Sequence, residues 1–244
     1  MATLVVTDLR PYLGVLDLTN NVEQVSFGDL TAEAVEFTNG GSGGFREFKP
    51  GNISGEMSME IFQDFALLGP EDILGTAGIG THLPFTGLLP GSSAAGDPCY
   101  LSRGYVGKRA PWMGAEGAAA KSSMTLPYDT RIVRGAVLQP STARTTTGTG
   151  TAVALAGPSA TQSLWATLHV FAYSGLTNIV VKVQTDDNGS FTSATDRITF
   201  TTVTGTTSQF TSVAGAFASE THARVSWTVS GTGSCTFAVA AGVL

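Results

Sequence analysis

The sequence predicts an all-β protein: a β-sandwich or barrel with one short helix and long loops, followed by a second β-sandwich. Three observations predict it. Apolar and polar residues alternate with a period of two through most of the 244 residues, threonine is abundant, and Gly and Pro punctuate the chain at short intervals. A 3.6-residue amphipathic period is nearly absent. With 42% apolar and 13% charged residues the chain can bury a sizeable core and does not have the composition of a disordered protein.

In chain order, residues 4–8, 12–18, 22–27, 34–38 and 53–62 read as short strands separated by turn residues. In the last of these Ser54, Glu56, Ser58 and Glu60 alternate with Ile53, Met57, Met59 and Ile61, so one face is expected to be buried. Residues 63–68 read as a helical turn. Pro70 followed by Glu71 and Asp72 reads as a helix start, with proline at the first position and acids in the first turn. Residues 75–117 are rich in Gly and Pro and read as long loops, with strands expected at 100–107, 122–126 and 131–138. The Thr/Gly-rich stretch from Pro140 to Gly150 reads as a connector, dividing the chain into domains at 1–140 and 151–244 with a linker at 141–150.

Beyond the connector, strands are expected at 164–172, 179–186, 197–204, 209–213, 223–230 and 234–243, the spacing of a β-sandwich. Asn188–Gly189 reads as a type I′ hairpin turn. Ala223, Val225, Trp227 and Val229 alternate with polar neighbours, so Trp227 is expected to face the core rather than a sugar.

The formal charge of −6 belongs entirely to the first 60 residues, where nine acids stand against Arg10, Arg46 and Lys49. A protein that binds nucleic acid needs a basic stripe to neutralise phosphates, and this is the reverse. There is no run of ~18 apolar residues and no basic leader, so neither a membrane span nor an export signal is expected.

Catalytic constellations are equally absent from the pattern. His82, His169 and His222 are isolated in sequence and read as structural or surface residues. Cys99 and Cys235 have no metal-site spacing and read as buried, reduced thiols. Gly40–Gly44 matches no phosphate-binding loop, and no spacing selects a carboxylate pair from Asp64, Glu71, Asp72 and Asp97. No enzyme activity, metal or cofactor is expected.

The run from Val15 through Asp17–Leu18–Thr19 to Phe27 reads as strand, tight turn and returning strand. Ala32–Thr38, a Gly-rich loop, Phe45–Gly51 and a long strand ending in Ile61–Phe62–Gln63–Asp64–Phe65 follow it. That order resembles bacteriophage tail tube (major tail) proteins, well over residues 10–75 and loosely to Leu138. The later segments LHVFAYSG, VKVQTDDNGSF, TDRITF and RVSWTVSG resemble the C-terminal region of longer proteins of this sort.

The resemblance implies a tail-tube-like β fold and a structural virion protein without catalytic residues, assembled in the host cytoplasm. Its copies would form homo-oligomeric rings, hexameric by preference, stacked into a tube beside other tail proteins. DNA would pass through without specific binding. On this reading some of Glu23, Asp29, Glu33, Glu36, Glu56 and Glu60 are expected to line the channel, where carboxylates repel phosphate. Low-charge segments are expected to make intersubunit contacts: the loop 39–51, through Gly40, Gly41, Gly43, Gly44, Phe45 and Phe48, and the Gly/Pro/Ala-rich stretch 75–121, through Leu83, Phe85 and Leu88. The competing readings are another virion component, such as a head decoration or tail-tip protein, and a glycan-binding β-sandwich module.

Overall fold

The computed structural model describes residues 10–28, 30–38, 46–66, 69–88 and 94–244. Among them the protein is all-β apart from one short helix, α1 (Pro70–Thr76), whose proline sits at its start with Glu71 and Asp72 in the first turn. The expected helical turn at 63–68 is not helical over 63–66, and its last two residues lie outside the described set.

β1 (Arg10–Leu13) turns back into β2 (Leu16–Asp17), so the single strand expected at 12–18 is a tight hairpin. β3 (Val22–Phe27) follows as expected, after Asp17 closes the turn by accepting from the Thr19 amide at 3.1 Å. β4 (Thr31–Glu36) and β5 (Phe48–Ser54) pair as a two-stranded ribbon, and β6 (Glu56–Phe62) returns alongside β3.

The stretch read as Gly/Pro-rich loop with one strand at 100–107 is largely strand: β8 (Pro98–Tyr105) falls where that strand was expected, and β7 (His82–Leu88) and β9 (Lys108–Met113) replace loop. In β7 every residue from Pro84 to Leu88 is buried, so it shows no alternation. β9 contains Pro111, which an edge strand tolerates. β10 (Lys121–Pro127) completes a four-stranded antiparallel sheet in the order β3-β6-β10-β9.

β11 (Val133–Arg144) pairs with β8 on one side, and continues through the stretch expected to be a connector. Thr142, Ala143 and Arg144 stand opposite Phe237, Thr236 and Cys235, because threonine suits a pleated surface as well as a linker. β12 (Gly148–Thr149) and β13 (Val153–Ala154) add short bridges to the last strand, β17 (His222–Val243).

β14 (Ser163–Asp186) and β17 are each one long bent strand where two were expected. Their register slips between Ser174 and Asn178, at a corner where Gly175 and Gly231 take φ of +73° and +89°. Before the corner β14 pairs with β16 (Thr207–Ala214), and after it with β15 (Thr195–Thr199). One hairpin thereby supplies both walls of a sandwich. Leu164, Leu168 and Val170 from one half pack in a single cluster with Ile179, Val181, Val183, Trp227 and Phe237.

The turn after β14 is not type I′, since neither Asn188 nor Gly189 has positive φ; Phe191 does, at +52°. The buried Asp186 carboxylate organises it, accepting from the Ser193 amide at 2.9 Å and from Asn188 Nδ2 at 3.2 Å. Cys99 and Cys235 are free and buried, which pushes their thiols up to about 12 and about 11.

Candidate assembly surface

The four-stranded sheet has one apolar and one polar face. Met57, Met59, Ile61, Met124 and Leu126 are buried beneath it with Leu13, Leu18 and Phe85. The alternate residues Glu56, Ser58, Glu60, Ser123 and Thr125 form the opposite face, with Gln24 opposite Glu60 and Ser26 opposite Ser58 on β3. The sheet ends in two edges, β3 and β9, neither of which pairs with a further described strand.

The β3–β6 pair does not stop with the sheet. The Gly28 amide donates to the Glu56 carbonyl at 2.8 Å, and the pairing resumes at Thr31 opposite Ser54. A Cβ on Gly28 would stand 2.3 Å from that carbonyl oxygen, so only glycine allows the close approach. β4 and β5 therefore project as an arm, ~20 Å long at the usual rise per strand residue. Its apolar side chains face solvent on both sides: Val35, Phe37, Phe48 and Ile53 are 46%, 52%, 55% and 72% exposed. Lys49 holds its ammonium 4.1 Å over the Phe37 ring. A cleft at the arm's base runs past Leu30, Ile53, Tyr128, Arg131 and Leu244.

The expected channel acids separate into groups. Glu56 and Glu60 lie on the polar face, and Glu23 is at its margin in an ion pair with Lys121. Glu33 and Glu36 are exposed on the arm, where Glu36 faces Arg46 at 3.9 Å. Asp29 lies outside the described residues. Lys108 and Lys121 accompany the acids, so the face mixes both signs.

Of the expected contact residues, Gly40, Gly41, Gly43, Gly44 and Phe45 lie outside the described residues, and Phe48 is exposed on the arm. Leu83, Phe85 and Leu88 are a correction: they belong to β7, not a loop, and Phe85 and Leu88 are 1% exposed. Phe85 packs edge-on against Phe27 at 5.1 Å, so it supports the sheet from beneath.

The β9 edge lies within the 75–121 stretch expected to make intersubunit contacts, as a strand rather than a loop. Glu71 on α1 accepts from Gln63 Nε2 at 3.0 Å and pairs with Arg109, which pins the helix to this strand. Trp112 is 66% exposed there. The signal was Pro111 within KRAPWM, an apolar-basic run that a central strand would not carry.

No group of three His, Cys, Asp or Glu side chains suited to a metal exists among the described residues. No described helix is long and apolar enough to cross a membrane. His82 Nδ1 lies 2.5 Å from an Asp129 carboxylate oxygen, and Arg103 Nε lies 3.0 Å from the same carboxylate.

No protein-family model matches the sequence, and no curated protein matches it. Among solved structures the chain is similar to the sheath/tube terminator of an extracellular contractile injection system in its extended state. That likeness has 14% identity and a TM-score of 0.43, covering 55% of this chain and 97% of that one. The SPP1 tail tube protein matches at 10% identity and a TM-score of 0.42, over 54% of this chain and 78% of that one. The SPP1 Dit protein, a hub adsorption component of phages infecting Gram-positive hosts, matches at 10% identity and a TM-score of 0.38 over 97% and 99%.

Proposed function

We propose that the protein is a structural subunit of a phage tail whose four-stranded sheets join edge to edge into a ring, hexameric by preference, that stacks into a tube. The observation that carries this reading is the pair of open edges. The order β3-β6-β10-β9 is antiparallel throughout, so β3 and β9 run in opposite directions. When copies are related by rotation about an axis along the strands, β9 of one meets β3 of the next with the alternation unbroken. Such a head-to-tail contact makes a closed ring when the rotation closes. The polar face would then line the channel and pass DNA without holding it, and the arm would reach the next ring. Residues 1–140 are the ring-forming unit in this reading, and residues 151–244 lie outside it.

Negative-stain electron microscopy of the purified protein tests this. Rings that stack into tubes are expected. Trp112→Asp on the β9 edge should leave circular dichroism and the melting temperature unchanged and abolish the rings. A single closed ring that never stacks would transfer the protein to the tail-tip or decoration class, and a monomer retained on polysaccharide would make it a glycan-binding module.

A further inference from the structure

β1 and β7 meet β14 through a buried polar relay. His169 on β14 is 1% exposed; its Nδ1 lies 2.8 Å from the Gly14 carbonyl oxygen and its Nε2 lies 2.9 Å from Thr86 Oγ1 on β7. Thr86 Oγ1 is in turn 2.8 Å from Thr167 Oγ1. A carbonyl can only accept, so Nδ1 carries the hydrogen and Nε2 is bare. The Thr86 hydroxyl therefore donates to Nε2, and its oxygen receives the Thr167 proton. Every direction in the relay follows from the single Gly14 contact.

A second proton on the ring would reverse the relay. An Nε2–H would turn the Thr86 hydroxyl round toward Thr167, leaving the buried Thr167 proton without its acceptor in the relay. The relay holds no carboxylate to balance the charge. Tyr12 on β1 and Phe171 on β14 flank the ring, with centroids at 5.8 and 6.2 Å, and Ser208 and Ala238 stand opposite His169 on β16 and β17.

The charged groups on these elements lie elsewhere. Arg10 begins β1, and Asp17 on β2 is occupied by Thr19. His82, at the exposed end of β7, faces Asp129. Lys182, Asp186, His222 and Arg224 belong to the far halves of β14 and β17, beyond the corner.

We propose that this relay is an acid-sensitive interlock: protonation of His169 releases β1 and β7 from β14 while the β14–β17 hairpin stays folded. Burial holds His169 at about 4 against an ordinary 6.5, and the bond to Gly14 opposes that shift. With the closed form refusing a proton that the open form takes at ordinary pH, opening becomes easier as pH falls below 6.5 and levels off below 4.

Hydrogen exchange on the full chain, corrected for intrinsic rates, should show the opening constant of β1 and β7 rising about tenfold per pH unit through that window. β14–β17 protection should persist. Nuclear magnetic resonance of the ring should find Nδ1 protonated at neutral pH. Thr86→Val, which keeps the ring buried and removes the relay oxygen that could accept from a protonated Nε2, should leave the His169 titration below its ordinary value, and His169→Gln should flatten the pH response. A folded-state His169 titrating near 6.5, a bare Nδ1 at neutral pH, or simultaneous loss of protection across all four strands would overturn the proposal.

Discussion

Along the arm, Val35, Phe37, Phe48 and Ile53 face solvent, whereas along the β14–β17 hairpin Leu168, Val170, Ile179, Val181, Val183, Val225 and Phe237 are all fully buried. The two ribbons have similar chemistry and opposite surroundings. The long hairpin bends at its glycine corner and covers its own apolar face. The arm's apolar residues stay exposed, so they contribute to stability only when something else covers them. One region buries its own apolar residues and the other leaves them in water.

The largest effect that sharpens this contrast comes from the hairpin. Phe237 is fully buried with its ring 5.8 Å from Trp227 in an edge-on arrangement. Phe237→Ala should lower stability by about 3–5 kcal/mol, read as a melting temperature lower by about 10 °C.

Acid titration separates the regions next. Hydrogen bonds from Lys182 and Gln184 hold Asp196 below its ordinary 3.8, and Arg197 and then Thr185 hold Glu220 below 4.5, against the pull of burial. For Asp186, burial works against ionisation, but hydrogen bonds from Ser193 and Asn188 outweigh it and leave the carboxyl below 3.8. A depressed carboxylate stabilises the fold above its unfolded value and loses that contribution as pH falls through its folded value. The sandwich should therefore weaken progressively as pH falls through and below 4.5 and 3.8, lower than the 6.5 at which opening of the His169 interlock starts to become easier. In melts followed against pH, Asp186→Asn should lower stability at pH 7 and flatten the fall below pH 4.

On the arm the expected effect on the monomer is small. Phe48→Ser with Ile53→Ser removes exposed apolar area, so stability should change by less than about 0.5 kcal/mol. Assembly should fail, measured as loss of sedimenting or imaged oligomers. A drop of several degrees in the monomer's melting temperature would show that the arm folds back on its own chain.

The same contrast explains what could be read in the sequence. β6 and β10 were legible because one face is wet and one dry, which writes a period of two into 56–61 and 122–126, whereas a bulge between Val22 and Gln24 interrupts it in β3. β7 was not, because Pro84 to Leu88 are buried throughout and proline and glycine look like loop. β5 was missed for the opposite reason: it is exposed on both faces, so burial imposed no pattern on it. The placement of Glu56 and Glu60 on the polar face followed from alternation, and the burial of His169 followed from its apolar strand. Its partners did not, since Gly14 and Thr86 are 155 and 83 residues away and their pairing is a product of sheet order.

The smallest effect concerns the polar face itself. Glu23 pairs with Lys121 at the margin of the sheet, with 39% and 28% of the two side chains exposed. A pair this open is worth about 0–1 kcal/mol, because water screens the attraction and two long side chains lose freedom in making it. Glu23→Gln should lower the unfolding free energy, read from urea titration, by at most that amount. The shift should vanish in 1 M salt, where screening acts within ~3 Å. A larger or salt-resistant loss would mean that the face charges hold the sheet together. The expected result leaves them outside the fold's energetics, available to set the potential of whatever surface the assembled sheets present.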